Sequence, residues 1–140
     1  MNNPWKDINL SDYESHMALD SVKQLQAMNQ MMQGQLNKYD IKSVMILGIA
    51  GGNGLEHVDV MKITKVYGVD RNAEDLATVK ERYKKLSGIL ECLCVDLNSE
   101  AEKLPQANLL IANLLIEYIG YECFQKAVKI VKPQYVSCVI

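Results

Sequence analysis

Gly48, Gly51, Gly52 and Gly54 crowd one short stretch, Val44 to Gly54 (VMILGIAGGNG), directly behind the apolar run Val44, Met45, Ile46 and Leu47. A run that short, without polar alternation, reads as a strand buried on both faces. The glycines mark backbone that must turn sharply and let another group come close where side chains would block it. A helix beginning at Leu55 would aim its free N–H groups back at this turn, the arrangement that cradles cofactors in doubly wound α/β folds. A second chemical signal follows. Lys65 to Val69 (KVYGV) is another short apolar run, and Asp70 closes it 22 positions after Gly48 (70 minus 48). In a βαβ unit an acidic residue about 20 positions past the glycines sits at the tip of the neighbouring strand. There its two oxygens can accept from both hydroxyls of a ribose. The loop and Asp70 together point to an adenosine-containing ligand.

The spacing inside the loop decides which one. Dinucleotide binders use G-x-G-x-x-G, and counted from Gly48 the second and third glycine positions hold Ala50 and Asn53. The alternative pattern G-x-A-x-G, from Gly48, Ala50 and Gly52, resembles the first motif of class I S-adenosylmethionine-dependent methyltransferases, usually G-x-G-x-G. That resemblance runs from Ser43 to about Ile140 and implies a Rossmann-like, doubly wound parallel sheet with helices on both faces. It also implies S-adenosyl-L-methionine as cofactor. Gly48, Ala50, Gly51 and Gly52 would face its methionine and ribose, and Asp70 the ribose hydroxyls. Asp96 and Leu97, at the end of the run Ile89 to Val95, would meet the adenine. Asn113 and Leu114 would flank the reacting end, and Asn53 and Arg71 complete the candidate cofactor-binding set. Asp96 has a competing role as a turn or helix cap. The stretch Ala112 to Gly120 (ANLLIEYIG) is similar to that of family members acting on small molecules. Methylases of DNA bases and of glutamine instead carry Asn or Asp, two prolines and an aromatic where Leu114, Leu115 and Ile116 stand, which argues against a flipped base in the site.

The elements that must position these residues are legible as alternating runs. Ser11 and Glu14 form a capping box, so a helix starts near Asp12. Tyr13, Met17, Val22, Leu25, Met28 and Met32 recur at helical spacing to an end near Gly34. By the family resemblance this segment folds over the cofactor, which makes Trp5, Tyr13, His16 and Met17 pocket candidates. After the glycine loop come a short helix from Leu55 to Met61 and another from Asn72 to Lys85. A third strand spans Ile89 to Val95, and a fourth spans Asn108 to Ala112 with Asn113 at its tip. A helix carrying Glu117, Tyr118 and Tyr121 continues through Val131, and a fifth strand covers Tyr135 to Ile140. Strand and helix alternating in this way predict a parallel sheet. Residues 1–140 are read as one domain, with a helical segment over 1–40 and the α/β core over 41–140.

Composition fits that picture. The chain has 140 residues, 49% of them hydrophobic and 23% charged, enough for one core. A formal net charge of −2 gives no electrostatic reason to expect nucleic acid, and the basic run Lys80 to Lys85 reads as a solvated helix face. No signal peptide or apolar span is visible, so a cytoplasmic protein without a membrane partner is expected. Cys92, Cys94, Cys123 and Cys138 lack C-x-x-C spacing and are expected to be inert buried thiols, with no metal site. His57 could serve a site, but a lone helical histidine is more often a surface or satisfied residue and is read as one.

Three departures bound the resemblance. Ile46 stands where the family's first motif begins with Asp or Glu, Ala50 replaces its second glycine, and the sequence stops at the fifth strand with the family's last two strands absent. The chain is therefore either a piece of a longer protein or a natural short form. An apolar terminal strand predicts a homodimer through Tyr135 to Ile140. No catalytic residue is assigned, because a sulfonium is already a good leaving group and a base is needed only when the acceptor must lose a proton. Two other functions stay open: an NAD(P)-dependent oxidoreductase, in which Arg71 would suit a 2′-phosphate, and a non-catalytic cofactor-binding or assembly module.

Overall fold

The computed structural model describes residues 24–140. The expected helix start near Asp12 and the pocket candidates Trp5, Tyr13, His16 and Met17 lie outside the described residues. Within them the short apolar runs do become strands: β1 (Ser43–Leu47), β2 (Lys65–Asp70), β3 (Leu90–Cys94), β4 (Leu109–Asn113) and β5 (Tyr135–Val139). They pair in parallel in the order β3-β2-β1-β4-β5. The chain moves outward from β1 to β3, then returns to the other side of β1 for β4 and β5. Winding therefore reverses between β1 and β4, and the crevice beyond the carboxyl ends at such a reversal is where open α/β sheets bind ligands.

The absence of polar alternation in β1 follows from helices on both faces. Val44 and Ile46 enter one apolar cluster with Val66, Leu109 and Ile111, covered by α1 (Gln24–Lys38) and α2 (Ala73–Arg82) through Met32, Leu36, Leu76 and Val79. Met45 and Leu47 face the other way, joining Val69, Leu110 and Ala112 beneath α3 (Ile116–Ile119) and α4 (Tyr121–Val131), which contribute Ile116, Ala127 and Val131. Each of the Val, Leu, Ile and Met side chains among them, buried, contributes on the order of 2 kcal/mol relative to exposure, so this layering holds the strand tips in place.

Four expectations are corrected by the structure. The helix expected from Leu55 to Met61 is a single 3-10 turn, Leu55–His57. Val58 is already extended, and Asp59 takes over by accepting from the N–H of Met61 on its side chain and from Lys62 and Ile63 on its carbonyl. This is the local competition by which Asp diverts a chain from helix. The helix expected to run unbroken to Val131 is cut at Gly120, whose φ of 87° and ψ of 157° suit glycine alone. In the other direction, α1 does not end at Gly34 but continues to Lys38. Packing of Met32 and Leu36 outweighs the roughly 1 kcal/mol that an interior glycine costs. Finally, the thiols are not all buried: Cys94 and Cys138 are exposed, while Cys92 and Cys123 are partly covered, and burial pushes both of the latter upward in pKa. Among the described residues no cluster of three or more His, Cys, Asp or Glu could hold a metal ion. No helix among them is long and apolar enough to cross a membrane.

Candidate functional site

The glycine loop leaves the tip of β1 and is tied at once to β2, because the N–H groups of Gly48 and Ile49 both donate to the carbonyl of Val69, at 2.8 and 3.0 Å. Gly48 has φ of 69° and an exposed surface, and a Cβ placed on it would lie 3.1 Å from the Leu115 side chain. It sits where two open crevices meet, one of about 500 Å3 and one of about 620 Å3.

Asp70, Arg71, Asp96, Leu97, Asn98, Leu115 and Tyr118 line the first crevice together with Gly48. Asp70 is oriented from two sides. Its Oδ2 accepts from the N–H of Ala50 at 2.9 Å and its Oδ1 from the N–H of Asn72 at 3.0 Å. Asn72 in turn caps α2 by accepting from the N–H groups of Glu74 and Asp75. A carboxylate offers about four acceptor positions, so these two bonds fix its direction and leave capacity for a diol. Asp96 carries the turn-capping role weighed for it from sequence. Its Oδ1 accepts from the N–H of Asn98 at 3.0 Å, and its Oδ2 pairs with Arg71 Nη2 at 3.3 Å across the crevice. Both partners are about one-third exposed, so the pair is a weak tie. Leu97 is buried, and its carbonyl accepts from the Cys123 thiol at 3.2 Å.

The second crevice lies on the other side of Gly48, between the loop, the tip of β4 and α1. Ala50, Gly51, Asn53, Asn113 and Leu114 line it with Leu25, Met28 and Met32. Ala50 and Leu114 both occupy left-handed backbone, at φ of 48° and 56°, a conformation that non-glycine residues enter at a cost. α1 is fastened over this crevice at successive turns. Asn53 Nδ2 donates to the Leu25 carbonyl at 2.9 Å, and Asn29 Nδ2 donates to Asn53 Oδ1 at 2.9 Å and to Glu56 Oε2 at 2.8 Å. The Asn29 Oδ1 meets His57 Nε2 at 2.6 Å. Met32 fills the space beside Gly54, where a Cβ would come within 2.4 Å of its Cγ. Near the end of α1, Gln35 forms a reciprocal amide pair with Asn113, 2.9 Å in each direction, and donates to Ser137 Oγ on β5.

The sequence-derived candidates thus divide in space. Gly48, Asp70, Arg71, Asp96 and Leu97 surround one crevice, and Gly48, Ala50, Gly51, Asn53, Asn113 and Leu114 the other. Gly52 lines neither, because it lies against Tyr83, Leu55 and Val79. Of the residues after β4, Tyr118 lines the first crevice, whereas Glu117 and Tyr121 are exposed. His57 is a satisfied residue, as expected, although on a 3-10 turn. Asn29, Gln35 and Leu115 were missed. Leu25, Met28 and Met32, three and four apart on one helical stripe, carried the visible signal for the α1 wall.

No protein-family model matches the chain, and no curated protein matches it by sequence. Solved structures match in fold. Coclaurine N-methyltransferase bound to N-methylheliamine and SAH aligns with a TM-score of 0.65 at 16% identity, over 82% of this chain and 35% of that one. An S-adenosylmethionine-dependent methyltransferase from Clostridium acetobutylicum ATCC 824 aligns at 0.62 and 14%, over 96% and 54%. The N-methyltransferase NodS from Bradyrhizobium japonicum WM9 aligns at 0.61 and 14%, over 80% and 64%. The chain spans less than two thirds of the length of each. Its fold is the Rossmann-like fold of class I S-adenosylmethionine-dependent methyltransferases.

Proposed function

We propose that this chain binds S-adenosyl-L-methionine across the two crevices that meet at Gly48, and that the protein transfers the cofactor's methyl group to a small molecule. The observation that carries this reading is Asp70, held at the tip of β2 by Ala50 and Asn72 with acceptor positions to spare, on the rim of a crevice at the winding reversal. Bound there, the cofactor would supply a methyl group on a sulfonium, an activated leaving group. Asp70 accepts from the ribose hydroxyls, and Leu97 and Asp96 border the adenine, with Asp96 exchanging its exposed tie to Arg71 for the amino group. Gly48, Ala50 and Gly51 offer main chain to the amino-acid tail, with Asn53 beside them, while Asn113 and Leu114 stand at the reacting end. Gln35 holds Asn113 in its orientation. These residues bind, align and exclude water, which supplies much of the rate for a leaving group this good. The small-molecule acceptor and a homodimer through β5 belong to the same proposal.

The oxidoreductase alternative is less well supported. A dinucleotide's pyrophosphate is held by a helix N-terminus, and only the three-residue turn Leu55–His57 follows the loop.

Calorimetry with S-adenosylhomocysteine tests the reading, with reduced dinucleotides titrated by fluorescence as the contrast. Saturable heat with the first and no response to the second is expected. Asp70→Ala should weaken binding by about 1–3 kcal/mol, the scale for losing charged hydrogen bonds, with thermal unfolding followed in parallel to separate lost contacts from a lost fold. Unchanged affinity would remove Asp70 from the site. Radiolabelled methyl transfer from the cofactor into a metabolite extract tests the enzymatic part.

A further inference from the structure

The two crevices differ in chemistry. The one that carries Asp70, Arg71 and Asp96 is charged. Among the described residues lining the other, none is charged. Its side walls are Leu25, Met28 and Met32 from α1 and Leu114 from the tip of β4. Its two polar side chains each already hold two hydrogen bonds: Asn53 with Asn29 and the Leu25 carbonyl, Asn113 with the nitrogen and the oxygen of the Gln35 amide. With the main chain of the glycine loop taken by the cofactor's amino-acid tail, an acceptor meets Leu25, Met28, Met32 and Leu114. Against these four side chains a charged group would lose water without gaining a partner from them, whereas an apolar one gains by burial. Methionine adds adaptability, since its unbranched, polarisable side chain fits flat or irregular apolar shapes.

We propose that the methyl acceptor is an uncharged molecule with an apolar body, and that Met28 and Met32 set that preference. This rests on the cofactor-binding reading above, because the α1 crevice serves an acceptor only if the cofactor's reacting end lies beside it. α1 is pinned to the loop through Asn29 and to β4 through Gln35, so its apolar side is presented as a fixed wall and selection acts on what can lie against it.

The test uses the full chain labelled with methyl-13C methionine, with signals assigned through Met28→Leu and Met32→Leu. S-adenosylhomocysteine is first titrated by calorimetry. The saturated protein is then titrated with three probes sharing one ring, benzyl alcohol, benzylammonium and benzoate. The expected result is that benzyl alcohol moves the Met28 and Met32 methyl signals with an apparent affinity roughly ten-fold or more above either charged probe. The signal of Met31, exposed on the same helix, should stay in place. Heat from S-adenosylhomocysteine combined with charged probes that bind as well, with no shift at Met28 and Met32, or with an equal shift at Met31, overturns the acceptor class and leaves the cofactor reading intact. No heat from S-adenosylhomocysteine overturns that reading, and the acceptor assignment with it.

Discussion

Ala50 and Asp70 hold one another in an arrangement that each alone would not adopt. The Ala50 N–H reaches Asp70 Oδ2 at 2.9 Å only because the alanine turns into left-handed backbone at φ of 48°. A side chain there costs about 1–2 kcal/mol, and part of that is returned because alanine orders more cheaply than glycine. Ala50→Gly should therefore raise stability by about 1 kcal/mol while keeping the Asp70 bond, read as a higher urea midpoint at unchanged slope. A lower midpoint would mean that the methyl group is packed and not strained. At this scale the sequence was informative about residue type, since a glycine position filled by Ala50 already marked a tight turn. It said little about direction. Gly52 and Gly54, which looked equally ready to admit a ligand, are approached by Tyr83 and Met32 of the protein itself, because a missing side chain makes room without naming what enters.

At the scale of elements, the docking of α1 onto the loop is polar as well as apolar, and Glu56 is its titrating part. Its carboxylate accepts from Asn29 Nδ2, from the N–H of Gly54 at 3.0 Å and from the Tyr83 hydroxyl at 3.3 Å. Partial burial pulls its pKa upward, but the Asn29 amide, the backbone N–H groups and the nearby His57 together hold it below the usual value of 4.5. With a folded pKa below the unfolded one, the unfolded chain takes up the proton first as acidity rises. The stabilisation is therefore complete above the unfolded value and is lost as pH falls through the folded one. Urea midpoints of the wild type should exceed those of Glu56→Gln near neutral pH, and the gap should close on acidification through and below 4.5; a gap independent of pH would contradict the assignment. None of this was legible beforehand. Short apolar runs identified all five strands: in β1 and β4 burial on both faces leaves a local signature, and in the edge strands β3 and β5 the runs stand out although their residues are only partly buried or exposed. The Asn29 and Gln35 contacts join residues 24 and 78 positions apart, where no local pattern records the pairing. The helix misread at Leu55 to Met61 failed for the opposite reason, since Asp59 reshaped the chain by a bond two residues long.

For the molecule as a whole, alternating strands and helices make the sheet parallel, and the observed order β3-β2-β1-β4-β5 leaves it with two unlike edges. β3 carries Glu91, which pairs with Lys65 at 2.7 Å, and charge of this kind discourages a second chain from adding to an edge. β5 carries no charged residue in Tyr135 to Val139. It pairs through β4 on one side, and its other edge has no strand partner among the described residues. Tyr135 and Val136 are each 40% exposed and Ile140 is 74% exposed, so unpaired main-chain groups coincide with apolar surface, the combination that templates strand addition. A two-fold arrangement joining β5 to its copy would satisfy both edges at once with the same surface on each chain. Light scattering coupled to size exclusion should accordingly give a mass that rises with concentration toward twice that of the chain. Val136→Lys, which places a charge on the edge without disturbing the core, should return it to the monomer with the unfolding midpoint unchanged. A single-chain mass at high concentration for the wild type would show that β5 is shielded, and the search would then turn to whatever covers Val136 and Ile140.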